Sequence, residues 1–109
     1  MTDTPLVCLV THPVDGAEAF ARRLVEARLA ACVNRLPVTS TYRWQGAVEA
    51  DDEVLLLLKT TRARWGELQR FLTDEHPYDV PESIALEPGV VGGEYLQWWL
   101  DATSETPSR

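Results

Sequence analysis

Seven consecutive residues, His76-Pro77-Tyr78-Asp79-Val80-Pro81-Glu82, carry an imidazole, a phenol and two carboxylates between two prolines. Proline fixes the backbone around each polar group, and a rigid site loses less entropy when a ligand arrives. A neutral imidazole is the commonest ligand for a borderline divalent metal, which makes His76 a candidate. One imidazole is not a site, but Glu75 precedes it and His12 closes the first apolar run. A His12, Glu75 and His76 cluster would hold such an ion if the fold brought the three together. The plainer alternative is a helix stop leading into an edge strand, with its polar groups solvated.

Lys59 poses a second question. It follows four leucines, Leu55 to Leu58, so its stem is drawn into apolar surroundings where an ammonium needs a partner. Glu53 and Glu82 are candidates. With Trp44 and Tyr78 they would line a pocket for a small polar molecule. The same residues would equally form an ion pair that fixes an interface. Glu49, Asp51, Asp52 and Glu53 lack the spacing and glycine of a calcium loop and are expected to form a solvated acidic turn.

Other chemistry is poorly represented. The chain has no Gly-x-Ser-x-Gly, phosphate loop, dinucleotide fingerprint or HExxH motif, so no enzyme activity is expected. Cys8 and Cys32 are not spaced as a zinc pair, and both sit among apolar residues as structural thiols. A net charge of −7 argues against nucleic acid, whose affinity comes from clustered Lys and Arg. No apolar run approaches the roughly 20 residues of a membrane helix. The first residues lack a basic n-region, so the expected location is the cytoplasm.

The elements that must position these groups follow from periodicity. Leu6 to Thr11 is a continuous apolar strand that His12-Pro13 breaks. Asp15, with Glu18 three residues on, should cap a helix whose stripe is Ala17, Phe20, Ala21, Leu24 and Leu29 and which ends near Arg28. A second strand begins at Ala31, with Pro37 at a bulge or bend. Its outer arm alternates strictly, with Val38, Ser40, Tyr42 and Trp44 on one face. Gln45-Gly46 is a two-residue turn. The third strand ends at Lys59-Thr60, and Thr60 or Thr61 should cap a helix carrying Trp65, Leu68 and Leu72. His76-Pro77 ends that helix, and Val80 to Leu86 is a fourth strand. A last helix spans about 94–102.

This order is β-α-β-β-α-β with an appended helix, an α+β ferredoxin-like pattern in one domain over 1–103, with a disordered tail at 104–109. Helices cover only one face of such a sheet. Leu6 to Val10 and Val54 to Leu58 nevertheless read as apolar on both faces. Self-association is the economical cover for the second face.

Five segments in order, AACVN followed by Arg35, TSTYRWQGAVE, LLLLKTT, HPYDVPE and YLQWW, resemble the successive motifs of the CutA divalent-cation tolerance proteins. The resemblance covers about residues 6–102. It implies a tight homotrimer packed through its long hairpins, a role in the response to metal ions, copper in particular, and an architecture similar to the PII signalling proteins. It places an intersubunit pocket at Trp44, Glu53, Lys59, Tyr78 and Glu82. Of the copper ligands it implies, only His76 carries over, because Val10 stands where the family has cysteine and Glu75 precedes the histidine. A PII-like trimer that binds a small metabolite in that pocket is the alternative function.

Overall fold

The computed structural model describes residues 3–105. Strand β1 (Pro5–Pro13) leads into helix α1 (Ala17–Glu26), then β2 (Cys32–Trp44) and β3 (Ala47–Thr61). A 3-10 turn over Arg62–Arg64 opens α2 (Trp65–Glu75), and β4 (Ile84–Leu86) and α3 (Gly93–Ala102) complete the chain. The four strands form one antiparallel sheet in the order β2-β3-β1-β4. The expected ferredoxin-like arrangement with its extra helix is present.

Strand alternation decides what each face does. Cys8, Val10, Leu56 and Leu58 point to one side, where Phe20, Leu24, Leu68 and Leu72 of the first two helices close the core. Val7, Leu9, Leu55 and Leu57 point to the other side and are only half-buried. Leu36, Ile84 and Leu86 extend that second apolar surface and are exposed. Beyond it the β2–β3 hairpin runs out from the body, and nearly every residue from 39 to 52 is exposed.

The hairpin turn is as the sequence indicates. Gln45 (φ 49°) and Gly46 (φ 83°) both take positive φ, the type I′ geometry whose twist matches the flanking strands. Helix α1 ends in a Schellman motif: Leu29 N–H donates to Leu24 O and Arg28 N–H to Val25 O, each at 3.0 Å. Arg28 occupies the left-handed position usually given to glycine. Its guanidinium donates to the Asp101 and Ala102 carbonyls at 3.3 and 3.1 Å and so closes the end of α3.

Several expected details differ. The N-cap of α1 is Gly16 (φ 85°), not Asp15, and no side chain caps it. Thr60 and Thr61 remain in β3 and cap nothing; both hydroxyls are buried without a partner among the described residues. Pro37 makes no bulge, because β2 is an edge strand and its pairing with β3 runs unbroken through Pro37 and Val54. His12-Pro13 does not interrupt β1, which pairs with β3 as far as Glu53. The acidic run is no turn either: Glu49 to Glu53 lie within β3. Strand β4 is only three residues long, since Pro81 offers no N–H to a ladder. Of the expected tail, Ser104 N–H donates to Asp101 O at 3.3 Å and Glu105 lies 3.6 Å from Arg64. Residues 106–109 lie outside the described residues.

Candidate functional site

The end of α2 delivers His76 into a buried aromatic stack. Its ring lies 5.1 Å from His12, 5.4 Å from Phe20 and 4.9 Å from Tyr78, centroid to centroid. Both histidines are nearly fully buried. His76 Nε2 is 2.8 Å from Thr11 O, and Tyr78 N–H points at His76 Nδ1 from 3.0 Å. A carbonyl only accepts and an amide N–H only donates, so the ring is the neutral Nε2–H tautomer. Neither nitrogen has a lone pair left for a metal. His12 Nδ1 is 2.7 Å from the Pro13 carbonyl and must donate to it. Glu75 turns away and pairs with Arg23, whose guanidinium lies 5.2 Å over the Phe71 ring.

The fold thus brings His12 and His76 together but leaves Glu75 outside, and this donor set does not fit a metal ion. Among the described residues no group of three or more His, Cys, Asp or Glu is placed to hold one. A simpler role fits His76: it ties the Pro77–Glu82 segment to the end of β1.

Burial is the main force holding the His76 pKa below its ordinary value, with the His12 ring acting in the same direction. A neutral folded imidazole facing an unfolded one that protonates near pH 6.5 makes stability depend on pH. The unfolded state takes up the proton first, so stability is full above about pH 6.5 and is lost as pH falls toward the folded pKa. We expect the melting temperature to decline from pH 7 to pH 5, and the decline to be shallower in His76→Gln. Parallel slopes in the two proteins would show that another group titrates.

The five expected pocket residues divide into three places. Tyr78 Oη donates to Glu53 Oε2 at 2.6 Å. Glu53 is only 6% exposed, yet forms no ion pair among the described residues. Burial, then this hydrogen bond, pushes the Tyr78 phenol well above its ordinary range. Burial also raises the pKa of Glu82, helped by the charge of Glu53 nearby. Glu53, Tyr78 and Glu82 therefore form one acidic group.

Lys59 is elsewhere. It shares the open face with Glu53 but lies six residues along β3, about 20 Å away at strand rise. Its ammonium donates to Asn34 Oδ1 and sits 4.0 Å from Cys32 Sγ. It forms no ion pair with any carboxylate among the described residues. Trp44 pairs with Ala47 at the hairpin tip, roughly 40 Å from Lys59 along the strand, and is half exposed. The fold of one chain does not bring the five residues together.

Two neighbours went unanticipated. Cys32 lies directly opposite Lys59 in the β2–β3 ladder, and Asn34 is two residues further on the same face. Counting outward from the Gln45-Gly46 turn would have found both. The acidic residues of β3 are also engaged: Tyr42 donates to Asp51 and Thr39 to Asp52. The Asp51 bond chiefly pushes the Tyr42 phenol up to about 12.

Comparison with known proteins sets this geometry in context. Residues 6–102 match the family model described as CutA1 divalent ion tolerance protein. The chain is 48% identical over 99 residues to the divalent-cation tolerance protein CutA of Thermus thermophilus, covering 89% of this chain and 96% of that one. It is 47% identical over 88 residues to human Protein CutA, covering 80% of this chain but 49% of the human protein. Among solved structures, the Thermus thermophilus protein superposes with a TM-score of 0.87 at 46% identity, covering 92% of this chain and 99% of that one. A PII-like protein CutA from Nostoc superposes with a TM-score of 0.86 at 33% identity, covering 91% of this chain and 97% of that one.

Proposed function

Because the chain belongs to the CutA1 divalent ion tolerance protein family, we propose that it acts in the cytoplasm in the response to divalent metal ions, as a non-enzymatic homotrimeric binding protein. One observation carries the assembly. The open sheet face holds a half-buried apolar surface, an anionic half-site and the chain's only lysine, and among the described residues the half-site has no cation and the lysine no carboxylate as partner. Lys59 and the Glu53–Glu82 pair are too far apart to meet within one copy. A contact that pairs different patches of two copies is heterologous, and it closes into a ring when the rotation allows. In a ring of three, each Lys59 faces the Glu53–Tyr78–Glu82 group of a neighbour, and hairpins bearing Tyr42, Trp44 and Val48 lie across adjoining copies.

The ligand enters at that shared pocket. Copper is the divalent ion to try first, at the Glu53–Glu82 carboxylates and not at His76, whose nitrogens are both occupied. A second reading, a PII-like trimer that takes a small polar metabolite, is favoured by the same saturation of His76. A lysine, two carboxylates and a phenol recognise an organic zwitterion as readily as an ion.

Light scattering should give a mass near three times 12.2 kDa; a monomer at micromolar concentration overturns the assembly. The ligand is tested by thermal shift with Cu²⁺, Zn²⁺ and Ni²⁺ on wild type, Glu53→Gln and His76→Gln. A ligand at a hundred times Kd stabilises the folded state by about 2.7 kcal/mol. We expect a shift in wild type and His76→Gln that Glu53→Gln lacks. Loss of the shift in His76→Gln alone returns the ion to the histidines, and no shift in any protein leaves the metabolite reading.

A further inference from the structure

The pairing of Cys32 with Lys59 has a chemistry of its own. The two residues are register partners at the start of β2 and near the end of β3, with side chains on the same face. Directly opposed residues of an antiparallel pair hold their Cβ atoms about 5 Å apart. Lys59 Nζ lies 4.0 Å from Cys32 Sγ, and Asn34 Oδ1 holds it on that side. Cys32 is half-buried in the single chain and shares the open face with Lys59, where the pocket proposed above admits small solutes. Cys32 Sγ also lies 3.9 Å from Asn34 Oδ1, and the thiolate form of a cysteine is the one that peroxides oxidise.

We propose that Cys32 and Lys59 form a reversible sulfur–nitrogen crosslink when the protein meets hydrogen peroxide. The proposal goes beyond the metal-response reading; the bond itself joins two residues of one chain, while access to it is through the pocket of that reading.

The chemistry balances in two steps. The thiolate sulfur attacks one peroxide oxygen and the O–O bond breaks; with one proton taken up this leaves Cys32 as a sulfenic acid and releases water. The sulfur is oxidised by two electrons and the peroxide is reduced by two. The Lys59 ammonium then releases a proton to solvent, and its nitrogen lone pair attacks the sulfenic sulfur. The S–O bond breaks, and the hydroxyl leaves as water with a second proton from nitrogen. The product is a sulfenamide, which an added dithiol reopens by attack on sulfur.

Cys8 provides the internal contrast. It is fully buried on the opposite face, near Ser83 Oγ at 3.9 Å, and burial pushes its thiol pKa up. It has no lysine to condense with, because Lys59 is the only one in the chain. Its position across the sheet also prevents a Cys8–Cys32 disulfide within one copy. The crosslink removes the chain's one lysine ammonium from the open face and staples β2 to β3. In the assembly proposed above, it would take Lys59 away from the neighbouring half-site.

The test is mass spectrometry of the intact protein after dilute hydrogen peroxide, compared with Lys59→Arg and Cys32→Ser. Wild type should lose two hydrogens, about 2 Da, and regain them with dithiothreitol. Trypsin should then release residues 29–35 joined to residues 44–62, since a modified Lys59 is not cleaved. Lys59→Arg should instead stop at a sulfenic acid trapped by dimedone, and Cys32→Ser should not change. A wild-type protein that stays unmodified, goes to the sulfinic acid, or forms a Cys32–Cys32 disulfide between copies overturns the proposal. None of these outcomes bears on the mass or the metal shift, so the two readings fail separately.

Discussion

Leu57→Asp should yield a folded chain that no longer assembles, whereas Leu58→Asp should yield no folded chain at all. The residues are neighbours in β3 with opposite fates. Leu58 is fully buried between Cys8 and the helical layer, and an aspartate there has no partner. An uncompensated buried charge costs several kcal/mol, comparable to the whole stability of a domain this size. Leu57 stands on the other face, opposite Leu9 on one side and Asn34 on the other, and is only half-buried in the single chain. An aspartate there stays hydrated in the monomer and must be desolvated only when a second copy covers the face. Circular dichroism with light scattering separates the outcomes: native secondary structure at one third of the wild-type mass is expected for Leu57→Asp. An intact trimer would show that the open face is not the interface, and an unfolded Leu57→Asp chain would show that the two faces are not independent.

The second large effect falls on a residue that no motif marks. Arg64 is only 6% exposed and donates to the Arg28 and Ala27 carbonyls, each at 3.2 Å, where α1 ends. It also pairs with Glu67 at 3.2 Å. The last carbonyls of a helix have no partners of their own and carry the negative end of its dipole, so a buried guanidinium there satisfies two needs. Charge-assisted hydrogen bonds of this kind contribute about 1.5–3 kcal/mol each. Arg64→Met keeps the apolar stem and removes both, and should cost about 3 kcal/mol. Denaturant unfolding at one fixed protein concentration is the measurement, because the assembly proposed above would make stability depend on concentration. A loss below about 0.5 kcal/mol, the range of ordinary surface changes, would mean that water replaces the guanidinium without penalty.

Arg64 shows where sequence reading stops. Residues 62–64 look like any charged turn until the chain folds Ala27 and Arg28 against them. The site behaves in the same way. The concentration of polar groups at residues 76–82 was legible, as was the need of Lys59 for a partner. The separation of Glu53–Tyr78–Glu82 from Lys59 and Trp44 was not, and neither was the occupation of both His76 nitrogens. One of those nitrogens bonds to Thr11, 65 residues earlier in the chain.

By itself the sequence determined everything that rests on neighbours along the chain. These are the period-two arms of the hairpin, the positive φ at Gln45-Gly46, the apolar stripes of α1 and α2, the stop at His76-Pro77, and a sheet too apolar for one layer of helices. Each follows from backbone sterics or side-chain period over a few residues. The tertiary structure decided which polar groups are left without partners. Asp15, Thr60 and Thr61 had the chemistry to cap helices, but Gly16 and an extended β3 fixed the helix starts elsewhere. His76 had the chemistry to bind a metal and spent it on Thr11 and Tyr78. A donor or acceptor has few bonds to give, and which ones it makes depends on every group the fold brings within about 3 Å of it.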